Sequence, residues 1–122
     1  MTNVLEKIVL HKKEEVRRRK IERPLDSFIN NLTLSNRSLE KALSNSHSDF
    51  ILECKRASPS KGLIREDFNL DKILAVYQDY ASAISVLTDE KYFQGSFDYL
   101  LQTSQTVKQP VLCKDFFIDA YQ

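Results

Sequence analysis

The sequence predicts an α/β fold on three parallel strands, the amino-terminal part of a (β/α)8 TIM barrel preceded by an amino-terminal helical extension. Three observations carry this. Apolar runs at Phe50–Cys54, Ile84–Leu87 and Val111–Cys113 are continuous rather than alternating, the pattern of strands buried on both faces. Their starts, near 50, 84 and 111, lie 34 and 27 residues apart, the spacing of βα units in a parallel sheet. The first run ends with Glu53 beside Lys55 and enters the polar turn Ser58-Pro59-Ser60-Lys61-Gly62. An acid and a base at the carboxy end of a strand is how an α/β barrel builds its site.

Taken in order, residues 3–21 read as a helix. Val4, Leu5, Ile8, Val9 and Val16 form an interrupted apolar stripe, and the intervening positions are charged. Residues 1–23 hold eight Lys/Arg against four Glu. Such a helix binds phosphate or RNA, or is a solvated face laced by ion pairs three and four residues apart. No aromatic residue interrupts the basic run, so the solvated face is the favoured reading. Pro24 is placed to open a short helix through Leu25, Phe28 and Ile29. Ser38–Leu43 reads as another short helix.

Between the first two strands, Asp71–Ala83 carries Ile73, Leu74, Val76, Tyr77 and Tyr80 at helical spacing, with Asp71 as an early-turn acid. Between the second and third, a helix spans Phe97–Gln105, with Ser96 as N-cap and Leu100 and Leu101 inward. The order is β-α-β-α-β, with residues 1–47 as the helical extension and 48–122 as the first portion of the barrel. Three parallel strands leave two open edges, so the chain is expected to be the amino-terminal part of a longer protein.

Composition narrows the function classes. The chain has 122 residues, 42% hydrophobic and 29% charged, with a net charge of +1, an ordinary globular balance without the basic bias of a dedicated nucleic-acid or membrane binder. No apolar run reaches the roughly 20 residues of a membrane span. The charged amino terminus lacks a signal-peptide core, which points to the cytoplasm. Cys54 and Cys113 form no CxxC pair. They read as small strand or core residues rather than metal ligands.

Strand parity gathers the chemistry. Residues two apart share a face, so Ile51, Glu53 and Lys55 point one way, and Lys114 and Phe116 share a face at the end of the third strand. Two strand ends thereby bring an acid, two amines and an aromatic ring to one end of the sheet. A lysine near both a carboxylate and a second ammonium is pulled in opposite directions, and a proton donor near neutral pH can result. For Glu53–Lys55 alone, a structural ion pair is an equal reading; Lys114 tips the balance toward catalysis. The Ser-Pro-Ser-Lys-Gly turn lacks the spacing of a nucleotide P-loop, though Ser58 and Ser60 offer hydroxyls. Phe93, in the loop after the second strand, is either an apolar wall for a ring or a packing residue.

The segments ILECKRASPSKG, SVLTDEKYFQGSFDYL and LCKDFFID closely resemble three successive strand-loop blocks of indole-3-glycerol-phosphate synthase, the lyase of tryptophan biosynthesis. The resemblance runs through the amino-terminal helices and is to the enterobacterial type, which is fused to phosphoribosylanthranilate isomerase. It implies conversion of 1-(2-carboxyphenylamino)-1-deoxy-ribulose 5-phosphate to indole-3-glycerol phosphate, with release of carbon dioxide and water and with no metal or organic cofactor. It implies Lys114 as general acid, Lys55 as holder of the substrate carboxylate and aid to dehydration, and Glu53 as the residue positioning both. It implies Ser58 as a phosphate ligand, and Phe93 and Phe116 as walls around the anthranilate ring. A second glutamate, an asparagine and the main phosphate loops of the family would lie beyond Gln122, so the isolated chain is expected to be inactive. Two other classes compete: another phosphosugar barrel enzyme, and a non-catalytic barrel fragment.

Overall fold

The computed structural model describes residues 3–122. They form two compact units, one of Asn36–Asp115, the other of the residues up to Ser35 with Phe116–Gln122.

The Asn36–Asp115 unit is a three-stranded parallel sheet of β1 (Ile51–Cys54), β4 (Ala83–Leu87) and β5 (Val111–Lys114), with β4 central. Between β1 and β4 lie a two-residue-strand hairpin, β2 (Ala57–Ser58) and β3 (Gly62–Leu63), and helix α3 (Leu70–Tyr80). Between β4 and β5 lie α4 (Glu90–Phe93) and α5 (Phe97–Thr106), and the short α2 (Leu39–Ala42) precedes β1. The expected β-α-β-α-β order is present, as are Asp71 in the first turn of α3 and Ser96 capping α5; the short helix read over Ser38–Leu43 spans Leu39–Ala42, with Ser38 as its cap.

One face of the sheet holds the core. Cys54, Ile84 and Val86 are buried with Leu70, Ile73 and Leu74 of α3 and with Val107, and Leu52, Val111, Tyr99 and Leu100 pack against them. The other face carries Ile51, Glu53, Ala83, Ser85, Leu87, Leu112 and Lys114 by strand alternation. Burial on both faces holds for β4, all of whose residues are buried. It fails for the flanking strands, where Ile51 and Leu112 are 46% and 41% exposed on the face opposite the helices. Two helix assignments also need correction. α3 stops at Tyr80, and its Val76 and Tyr80 are exposed, because Leu70, Ile73, Leu74 and Tyr77 alone complete one stripe. Leu101, expected inward, is exposed because it stands about 100° round the helix from Leu100.

In the other unit, α1 (Val4–Glu22) starts at a capping box: Asn3 Oδ1 accepts from the Glu6 amide at 2.8 Å, and Glu6 Oε2 accepts from the Asn3 amide at 3.2 Å. Its buried stripe is Ile8, Lys12, Glu15 and Val16, whereas Val4 and Leu5 are exposed. The solvated ion pairs are there, Arg17–Glu14 at 3.0 Å and Arg18–Glu22 at 3.8 Å. Lys12 and Glu15, expected among them, are instead buried and paired at 2.8 Å, with Arg19 on the other Glu15 oxygen at 3.0 Å. Burial opposes the charge on Glu15, but the bonds and charges of Lys12 and Arg19 outweigh it and hold its carboxyl below the usual range. Pro24 does not open an α-helix. It sits extended ahead of two 3-10 turns, Leu25–Ser27 and Ile29–Asn31, separated by Phe28 at φ −141°. Tyr121 packs edge-on to Phe28, and Lys20 pairs with Asp119 at 2.6 Å. No helix among the described residues is long and apolar enough to cross a membrane.

Candidate active site

The register of the sheet brings Glu53 and Lys114 together. Glu53 is level with Ser85, and Lys114 is level with Leu87, on opposite sides of the central strand. Strands spaced about 4.8 Å apart put β1 and β5 roughly 10 Å from each other, a gap that a glutamate and a lysine reaching toward each other close. Lys114 Nζ donates to Glu53 Oε2 at 2.7 Å, and Lys55 Nζ lies 3.0 Å from Glu53 Oε1. Each carboxylate oxygen therefore takes one ammonium, from two different strand ends.

Burial works against ionisation of Glu53, whose side chain is 25% exposed; the bonds and charges of Lys114 and then Lys55 outweigh it and hold the carboxyl below its ordinary range. Glu53 is thus an anion, and an acceptor only, at neutral pH. Lys114 is 55% exposed and Lys55 38%. Half-exposed pairs of this kind add only about 0–1 kcal/mol to stability. The main effect of the cluster is orientation: one fixed anion aims two cations at the same end of the sheet. The Tyr77 hydroxyl of α3 donates to the Glu53 carbonyl at 3.1 Å and ties the strand end to the helix beneath it. Next to Glu53, burial and then the Glu53 charge push the Cys54 thiol up to about 11, so it is an inert core thiol. Cys113 is only partly buried.

Ser58 and Phe93 come from neighbouring elements. Ser58 pairs with Gly62 across the β2–β3 hairpin, and its hydroxyl accepts from the Lys61 amide at 3.2 Å and lies 3.4 Å from the Ser60 hydroxyl. Gly62 closes that turn at φ +62°, a conformation that costs glycine little. Phe93 ends α4, a partly buried position in a helix that lies beside β2. Phe116 opens the segment that belongs to the other unit; it is partly buried, and its carbonyl accepts from Gln122 Nε2 at 3.1 Å.

The segment read as a loop, Lys91–Ser96, begins instead as α4. Asp89 caps the helix through its Oδ2 and the Tyr92 amide at 2.8 Å, and Gln94 ends it in the left-handed conformation. An acid before the segment and a glycine after it were the legible signals; four helical residues are too few to show a period. Gly95 then passes so close to β4 that a Cβ there would lie 2.1 Å from the Leu87 carbonyl oxygen and 2.9 Å from the Thr88 nitrogen. Both are backbone atoms at the strand end. Gly95→Ala is accordingly expected to destabilise by at least about 1–3 kcal/mol, the usual cost of overpacking, read as a shift of the urea midpoint. An unchanged midpoint would contradict that close approach.

Comparison with known proteins gives a consistent result. The sequence profile of the family described as indole-3-glycerol phosphate synthase matches residues 5–122. The chain is 60% identical over 122 residues to the Tryptophan biosynthesis protein TrpCF of Vibrio parahaemolyticus, covering all of this chain and 25% of that protein. It is 58% identical over 122 residues to the protein of the same name from Salmonella typhi, with all of this chain and 27% of the relative covered. For the Haemophilus influenzae protein of that name the identity is 56%, over 98% of this chain and 26% of the relative. The chain spans about a quarter of the length of these curated relatives and aligns with their amino-terminal part.

Proposed function

The chain belongs to the indole-3-glycerol phosphate synthase family, and we propose that the whole protein containing it is a carbon–carbon lyase of tryptophan biosynthesis that closes the indole ring. The observation that carries this reading is the Glu53 carboxylate held between Lys114 at 2.7 Å and Lys55 at 3.0 Å at the carboxy ends of parallel strands. That is the end at which (β/α)8 barrels react their substrates.

The proposed substrate is 1-(2-carboxyphenylamino)-1-deoxy-ribulose 5-phosphate. Its carboxylate-bearing ring carbon attacks the ketone carbon; the new C–C bond forms as the carbonyl pair moves to oxygen, which takes a proton from the Lys114 ammonium. An ammonium fixed there stabilises the developing oxyanion and neutralises it. Departure of carbon dioxide returns an electron pair to the ring and restores its aromaticity. The hydroxyl then leaves as water with a second proton, and loss of a C–H proton completes the indole double bond. Lys55 first holds the carboxylate and then assists dehydration, while Glu53 orients both lysines. Ser58 is assigned to the phosphate, and Phe93 and Phe116 to the walls around the aromatic ring. Clamping phosphate and ring at opposite ends keeps the reacting carbons close.

The remaining assignments follow the same reading: residues 1–47 as a helical extension to a barrel that begins at 48, a cytoplasmic protein, and covalent fusion to phosphoribosylanthranilate isomerase. No cofactor is assigned, because atoms and electrons balance without one. The 122 residues alone are expected to form no product, since they bring only one side of a barrel mouth. Profiling the whole protein against a panel of phosphosugar substrates tests the assignment. Turnover of the carboxyphenylamino ribulose phosphate, with none of the other phosphosugars competing at the strand-end site, is expected. Preference at that site for a substrate lacking the carboxyphenyl group would favour another phosphosugar barrel enzyme.

A further inference from the structure

Lys114 is the last residue of β5, a strand whose only partner in the described sheet is β4. Its side chain is 55% exposed, so packing does not fix it, and the place of its ammonium depends on how firmly its backbone is held. That backbone is held by Thr88, the residue after the end of β4. The Thr88 amide donates to the Lys114 carbonyl at 3.1 Å, and its hydroxyl donates to Asp115 Oδ2 at 2.8 Å. The same hydroxyl lies 3.5 Å from the Cys113 sulfur and 3.5 Å from the Lys114 carbonyl oxygen. Thr88 is 1% exposed and Asp115 is partly buried, and a hydrogen bond to a carboxylate is among the stronger kinds. The Thr88 amide thus holds the Lys114 carbonyl while its hydroxyl, with a single proton to donate, holds Asp115 and lies against the Cys113 sulfur.

We propose that Thr88 is a positioning residue, one whose hydroxyl fixes the end of β5 so that the Lys114 ammonium meets Glu53 at the barrel mouth. Thr88 touches no reacting atom in this account. It acts through Lys114, and its part in turnover rests on the lyase reading above. Valine has the shape of threonine without the hydroxyl, whereas serine keeps the hydroxyl and loses only a methyl group.

The test compares Thr88→Val with Thr88→Ser in the whole protein. Thr88→Val is expected to lower kcat by on the order of 10- to 100-fold with KM changed less than about threefold, as befits a displaced proton donor; Thr88→Ser should stay within about threefold of the parent. A second readout does not depend on turnover: carbon NMR titration of the Glu53 carboxyl. In Thr88→Val that carboxyl should move up toward its ordinary range as Lys114 withdraws, and in Thr88→Ser it should not. Asp115→Ala removes the same bond from the other side and should move the carboxyl as Thr88→Val does, which keeps the test alive if the valine variant fails to fold. Loss of turnover in the parent protein would count against the lyase reading alone, with the titration still deciding the role of Thr88. A Glu53 titration unchanged in both Thr88→Val and Asp115→Ala, or serine as damaging as valine, would overturn the proposal.

Discussion

Replacing Lys114 by alanine in the whole protein is expected to lower kcat by about 10²–10⁴-fold, the usual range for a positioned general acid, with the fold intact. The reason is geometric. Lys114 Nζ is 2.7 Å from Glu53 Oε2 at the open end of the sheet, and its side chain is 55% exposed. Removing it creates no cavity in the core and breaks a pair that contributes only about 0–1 kcal/mol. Activity and stability should therefore separate: turnover collapses while the melting temperature moves by at most a few degrees. Lys114→Arg is a sharper probe, because arginine keeps the charge and the pairing but does not give up its proton at neutral pH. It should bind substrate and still fail to turn it over. A kcat near that of the parent in either variant would remove Lys114 from the acid role.

Glu53→Gln is expected to cost on the order of 10²-fold in kcat, and to change how the protein responds to acid. The neutral amide still fits between the lysines but leaves Lys55 and Lys114, both drawn to one point by a single anion, with no charge between them. The sign of the pH effect follows from the lowered carboxyl. With its folded pKa below the unfolded one, Glu53 contributes stability that is fully present above the unfolded carboxylate range and is lost as pH falls through the folded value. The parent should therefore lose this increment progressively as pH falls below the ordinary carboxylate range. Glu53→Gln should lack it at every pH, so that the two stability curves converge at the acid end. Denaturant melts between neutral pH and the acid limb would check this; curves that stay parallel would show that Glu53 is not held as an anion by its lysines.

The parallel sheet and the cluster of Glu53 with its two lysines were legible because both rest on short-range rules. Continuous apolar runs located β1, β4 and β5, and a period of two put Glu53 and Lys114 on one face. Register then did what spacing alone could not, bringing residues 61 apart to 2.7 Å. What was missed has different physics. Lys12 and Glu15 read as solvated because burial of a charged residue depends on its partners and not on its own type, and only the folded helix shows that they are buried and satisfy each other. The β2–β3 hairpin and α4 are shorter than any period that could announce them. Leu101 and Val76 were misplaced because an apolar residue on the wrong side of a helix is as apolar as one on the right side. Thr88 carries no signal in its residue type, and neither its bonds at the end of β5 nor the close approach of Gly95 to the end of β4 can be read before the chain is folded.

The most direct test of the account is simultaneous measurement of indole fluorescence and carbon dioxide release when the whole protein is given 1-(2-carboxyphenylamino)-1-deoxy-ribulose 5-phosphate. Ring closure driven from the Glu53–Lys114–Lys55 cluster predicts one carbon dioxide released for each indole formed, both abolished together in Lys114→Ala. Absence of indole formation by the folded parent protein, or equal rates in parent and Lys114→Ala, would contradict it.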